Sequence, residues 1–128
     1  MKKLVLILCL TIAFISCEKD NNNTENNSIE GRWHLVGFED TVMYEFTSSL
    51  RHIIYSTDGT FGLLETAIPN PNTWYYEDNK LVIDLNFGNF STSTLEYRCN
   101  GNVVDFISED GSLHSTLFRE GFDISSCN

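Results

Sequence analysis

The sequence is poor in the residues on which most recognisable chemistry is built. Its 128 residues include two prolines, three histidines and four cysteines, and only 8 Lys and Arg stand against 18 Asp and Glu. So few, scattered cations argue against nucleic acid as a partner, since phosphate binding needs clustered Lys and Arg to release counterions. His34, His52 and His114 have no metal-ligand spacing to one another or to a cysteine, and no C-x-x-C occurs, which disfavours zinc and dithiol redox chemistry. H-E-x-x-H, G-x-S-x-G and a phosphate-cradling glycine loop are all missing. The acid pairs Glu77-Asp78 and Glu109-Asp110 fall in turn-like segments, where carboxylates are usually solvated rather than catalytic. We therefore expect no enzyme, no metal and no cofactor. After residue 28 no stretch keeps a helical period, so helices are not expected to build the fold.

What is present begins at the N-terminus. Lys2-Lys3 precedes a twelve-residue apolar run, Leu4 to Ile15. A transmembrane helix needs about 20 such residues, so this run fits the core of a secretion leader better than a membrane span. Phe14-Ile15-Ser16-Cys17 follows. The small Ser16 directly before Cys17 resembles the lipobox of bacterial lipoproteins, although that family favours Leu where Phe14 stands. The resemblance implies a signal peptide over 1–16 and a diacylated Cys17 as the new N-terminus. Two acyl chains suffice for stable anchoring, at about 0.8 kcal/mol per buried CH₂. Loss of the leader removes two cations and no acid, leaving a formal charge of −12. Residues 18–27, EKDNNNTENN, have no apolar side chain and cannot offset the entropy of ordering. Segment 17–28 is thus expected to be a disordered tether. Glu18-Lys19-Asp20 also resembles the export tag that sends some Gram-negative lipoproteins to the outer membrane surface, with a plain charged linker as the alternative. Expected localisation is the outer membrane, periplasmic or surface-facing.

In such a compartment Cys9 departs with the leader and Cys17 carries lipid. Cys99 and Cys127 are left, and oxidising conditions favour their pairing over two free thiols.

Residues 29–128 read as one β-domain. Short apolar-rich runs alternate with turn residues: 29–38, 42–46, 51–56, 60–64, 74–76, 81–85, 92–99, 103–107 and 113–119. Asp58-Gly59 reads as a hairpin joining 51–56 to 60–64, Asn100-Gly101 as another, and Pro69-Asn70-Pro71-Asn72 as a loop. Leu81, Ile83 and Leu85 share one face, as do Leu95, Tyr97 and Cys99, the period-2 pattern of half-buried strands. Sequential hairpins predict an all-β, antiparallel up-and-down meander. With about eight strands it can close into a barrel and remove its exposed edges.

Gly31-Arg32-Trp33 resembles the Gly-x-Trp that opens lipocalin-like domains. The later Tyr55…Asp58-Gly59-Thr60-Phe61 segment and Leu117-Phe118-Arg119 reinforce the likeness, which covers roughly residues 28–120. Small bacterial lipoproteins with such domains share the order of lipobox, Asn-rich tether and short barrel. In lipocalins the Trp closes one barrel end under an Arg from the last strands. The resemblance places those roles on Trp33 and Arg119; a plain core role for Trp33 is the alternative. The chain is shorter than a full lipocalin and shows no C-terminal helix.

Two functions follow as expectations. One is a membrane-anchored binding protein that holds a small apolar or amphipathic ligand against Phe38, Tyr44, Phe61, Trp74 and Tyr76, because ligand sites are mostly apolar with few polar groups. The other is an accessory or inhibitor lipoprotein with a filled barrel that engages another envelope protein through its acidic surface.

Overall fold

From Gly31 onward the backbone obeys the alternation of its side chains. In the computed structural model, which describes residues 27–128, eight strands form: β1 (Gly31–Leu35), β2 (Val42–Phe46), β3 (Leu50–Tyr55), β4 (Asn72–Glu77), β5 (Lys80–Asp84), β6 (Phe90–Arg98), β7 (Val103–Ser108) and β8 (Leu113–Arg119). The leader, Cys17 and residues 18–26 of the expected tether lie outside the described residues. Each strand pairs antiparallel with the next, and β8 returns to β1 through Trp33↔Arg119, His34↔Phe118 and Leu35↔Leu117. The sheet is thus a closed up-and-down barrel.

Tight turns explain the meander. β4 and β5 join through Asp78 and Asn79 at φ 49° and 61°, between the paired Glu77 and Lys80. Two positive φ values make the turn whose twist matches a hairpin, and Asp and Asn tolerate that region. β6 and β7 join through Cys99, Asn100 and Gly101, all at positive φ.

The β3–β4 connection departs from expectation. Residues 60–64 are not a strand. Asp58 instead closes a local turn, its carboxylate accepting from the Thr60 amide at 2.9 Å. The chain then runs across the outer face of the barrel. There Phe61 meets His34 edge-on at 5.6 Å, and the Gly62 carbonyl accepts from Arg32 Nη2 at 3.0 Å. A Phe on a single strand gains little burial; laid over His34 and Met43 it covers an outward patch that would otherwise be wet. β3 consequently meets β4 at only two register pairs, Leu50↔Thr73 and Arg51↔Asn72. β4 also starts at Asn72, inside the segment read as a loop, because neither Pro69 nor Pro71 has to donate to the ladder.

Register divides the apolar residues between two places. Inside the barrel sit Trp33, Phe46, Leu81, Ile83, Val104, Phe106 and Leu117, with Ile29 added from the segment before β1. Facing outward yet buried are the paired Met43 and Ile54 and the paired Val103 and Phe118. At the end of the chain Cys99 and Cys127 form a disulfide, their Cα atoms 5.8 Å apart, which ties the C-terminal tail to the β6–β7 turn. The bridge spans a sequence separation of 28. In the chain-entropy account a loop of that length contributes about 3–4 kcal/mol. Cys127→Ser should therefore destabilise the barrel by about 3–4 kcal/mol, seen as a lower urea midpoint with a somewhat higher m-value because the freed denatured chain exposes more surface. A midpoint that does not move would show that the tail adds nothing to the barrel.

Candidate functional site

The barrel has a filled half and a hollow half. In an up-and-down barrel, alternate connections lie at alternate ends. The β2–β3, β4–β5 and β6–β7 turns share one end with the start of β1 and the end of β8. This end is closed. Trp33 is fully buried and its indole Nε1 donates to the Ile29 carbonyl at 2.7 Å. The Arg119 guanidinium lies 4.2 Å from the Trp33 ring centroid. Its Nε donates to the Gly101 carbonyl at 3.1 Å, Nη1 to the Glu30 carbonyl at 3.1 Å and Nη2 to the Ser28 carbonyl at 2.7 Å. The two residues assigned from the sequence to a barrel end are therefore in contact, and they hold the segment before β1 across it. Ser28, placed in the expected tether, is part of this closure. Gly31 is needed here: at φ 120° a Cβ would stand 3.0 Å from Arg119 Nη1. The cation–π contact is worth about 0.5–2 kcal/mol. Hydrogen bonds from a charged donor contribute roughly 1.5–3 kcal/mol each, less where an acceptor is wet, so the carbonyl contacts outweigh the stacking.

Aromatic side chains occupy the space behind Trp33. Trp74 meets Phe46 and Tyr76 edge-on at 6.2 and 5.8 Å and donates from Nε1 to the Thr47 carbonyl at 3.0 Å. The Tyr97 hydroxyl is buried without a hydrogen bond of good geometry, although the Tyr76 phenol interacts with it. Burial pushes the Tyr97 phenol well above its ordinary value of 10.0, with Tyr76 adding to the rise and Arg119 opposing it.

At the opposite end, where the β1–β2, β3–β4, β5–β6 and β7–β8 connections lie, a cavity of about 270 Å³ enters the barrel. Its walls are Leu35, Tyr44, Phe46, Ile83, Phe106 and Leu117. Val36, Phe38 and His114 stand at its rim, and Ser91 and Ser115 place hydroxyls along one side. The neighbouring β5–β6 turn adds exposed Leu85, Phe87 and Phe90 at the same end. Apolar walls with a few polar groups are the usual make-up of a small-molecule site, and this one is at the small end of the ~300–1,000 Å³ range.

The cavity also contains a cation. Arg51 belongs to its lining. Its Cα pairs with Phe46 on one side and Asn72 on the other, which turns the side chain inward with the core face. Its Nη2 donates to Asn72 Oδ1 at 2.7 Å, and its guanidinium carbon lies 4.9 Å from the Tyr44 ring centroid. Nε is buried and has no hydrogen-bond partner among the described residues. Burial pulls the Arg51 guanidinium below its ordinary value, while Tyr44 and Tyr55 act the other way; an arginine remains charged regardless.

Of the five side chains expected to line a ligand site, Phe38 and Tyr44 are brought to the cavity. Trp74 packs against the core in the other half with the half-exposed Tyr76 at its edge, and Phe61 sits on the outer face beside His34 and Met43. Arg51 was not picked out from the sequence. Its strand, RHIIY, carries polar and apolar residues on both faces, so only the register against Phe46 reveals which face is inward. His34 stacks on Phe118 at 4.9 Å, and among the described residues no group of three or more His, Cys, Asp and Glu is placed to hold a metal. No family model, no curated protein and no solved structure matches the chain.

The raised Tyr97 pKa has a definite sign. The folded state holds the phenolic proton more tightly than the unfolded chain, so the associated stability is fully present below pH 10 and is lost as pH rises beyond it. Denaturant midpoints should fall between pH 10 and 12, and in Tyr97→Phe they should fall less. Because the Tyr97 hydroxyl has no good partner, the same variant should be neutral or slightly stabilised at pH 7. A loss of several kcal/mol at pH 7 would mean that the hydroxyl is well hydrogen-bonded.

Proposed function

We propose that this protein is a lipid-anchored bacterial envelope protein whose lipocalin-like barrel holds a small apolar or amphipathic molecule. The observation that carries the reading is the cavity of about 270 Å³ in one half of an otherwise well-filled barrel. Close-packed interiors leave few voids larger than a water molecule, so a persistent apolar hollow open to solvent calls for an occupant. The Gly31-Arg32-Trp33 opening and the Trp33–Arg119 contact support the lipocalin-like assignment. The leader and Ser16-Cys17 support the anchor.

Anchor and mouth are well disposed for this role. The described chain enters at the closed end, through residues 28–30, and the cavity opens at the other. A tether of ten or so residues reaches roughly 35–40 Å when extended. A barrel on such a tether keeps its mouth clear of the point of attachment. The rival, a filled barrel that acts as an accessory or inhibitor of another envelope protein, draws support from the filled half and the acidic surface. It offers no use for the hollow half.

The test uses the full chain with Cys17→Ser, so that it stays in solution. A fluorescent apolar probe should bind saturably at one site, Ile83→Trp should abolish uptake by filling the cavity, and mass spectrometry should find a small molecule co-purified with the unsubstituted interior. The native chain from membranes should carry two acyl groups at Cys17. Absence of probe binding would favour the accessory role, and an unmodified Cys17 would remove the anchor.

A further inference from the structure

Resting on the cavity as a binding site, we propose that Arg51 is its recognition group and that the ligand is an amphiphile with a single acidic head, a carboxylate carried on a compact apolar body. Arg51 is the arginine of the barrel whose charge is unanswered. Arg32 is paired with Glu45 and Glu120, Arg98 with Asp105, and Arg119 binds three carbonyl oxygens. Arg51 makes no ion pair among the described residues, in a chain where acids outnumber bases by 18 to 8. With carboxylates so abundant, an inward arginine that meets none leaves room for one brought by a ligand. A buried charge lacking a counter-charge is a liability to folding alone, and stacking over Tyr44 with one bond to neutral Asn72 compensates it only in part.

The geometry favours a carboxylate over other heads. A guanidinium presents donors in a planar fork that matches two carboxylate oxygens, and among the described residues only Nη2 of Arg51 is engaged, with Asn72. A neutral alcohol or ester accepts one hydrogen bond and leaves the charge unanswered. A phosphate dianion needs more than one cation, and this cavity holds one amid a strongly acidic chain. Ser91 and Ser115 line the cavity from β6 and β8, across the barrel from Arg51 on β3, and the aliphatic and aromatic remainder takes the body of the ligand. The modest volume suits a medium-length chain or a single ring system rather than a long lipid.

Calorimetric titration of the full chain with decanoate and with 1-decanol tests this directly, since the two share a tail and differ in charge. Decanoate should bind at least about tenfold tighter, the order expected of a charge-assisted fork. Arg51→Gln should abolish the preference, bringing decanoate to the affinity of decanol. Arg51→Lys, which keeps the charge without the fork, should fall between the two. Near-UV circular dichroism checks that the variants keep the fold, and Arg51→Lys serves as the second variant where Arg51→Gln does not fold. Equal affinities in the wild type, or a preference that survives Arg51→Gln, overturn the role of Arg51 while binding of both ligands upholds the cavity. Failure of both ligands to bind overturns the proposal and the cavity reading together.

Discussion

The guanidinium of Arg119 is where this barrel closes. It lies over the indole of Trp33, its own register partner across the β1–β8 seam, and donates to carbonyls of Ser28, Glu30 and Gly101. One side chain from the last strand thereby fixes the first strand, the segment that precedes it and the β6–β7 turn. The Trp33 indole donates to Ile29, which brings that residue into the interior. Without these contacts β1 and β8 would be two open edges of a short sheet, with free N–H and C=O groups available to other chains. Gly31 makes the close approach of Arg119 sterically feasible. The disulfide at Cys99 acts two residues before Gly101, so covalent and non-covalent restraints meet at the same end.

Concentrating the restraints at one end leaves the other end free to be hollow. Trp74 and Tyr97 pack against the core that contains Trp33, whereas the opposite half holds the cavity and opens past Val36 and Phe38. β3 and β4 share only two register pairs, and this thin seam is where Arg51 and Asn72 face each other. A guanidinium is accommodated there because the sheet is least continuous there. The long 56–71 connection covers the outer face of β1 and β2, with Phe61 beside His34 and Met43. Stability and site are thus divided along the barrel axis.

Much of this plan was legible in the residues. Alternation at Leu81 and Ile83, and the turn residues Asp78-Asn79 and Asn100-Gly101, lead directly to hairpins because period and turn type are local properties, whereas Leu85 falls past the end of β5 and is exposed. Eight hairpin-linked strands then imply closure. Thr60 to Leu64 misleads for a physical reason. A run of apolar residues after Asp-Gly satisfies the local rule for a returning strand, yet Phe61 and Gly62 find their partners on the outer surface of β1. The ligand-lining aromatics divide for a related reason. Sequence shows that Tyr44, Trp74 and Tyr76 are large and apolar, but which end of an interior they occupy depends on strand tilt and register. Arg51 is the hardest case. A lone arginine in a β-run is ordinarily a surface residue, and only the pairing with Phe46 and Asn72 turns it inward.

Amide hydrogen exchange across the two seams tests the division most directly. If the Trp33–Arg119 closure anchors the barrel, amides of His34, Phe118 and Glu120, which point across the β1–β8 seam, should exchange only with global unfolding, and those of Arg51 and Trp74 should exchange faster through local opening of the β3–β4 seam. Equal protection at both seams, or faster exchange between β1 and β8, would contradict the account.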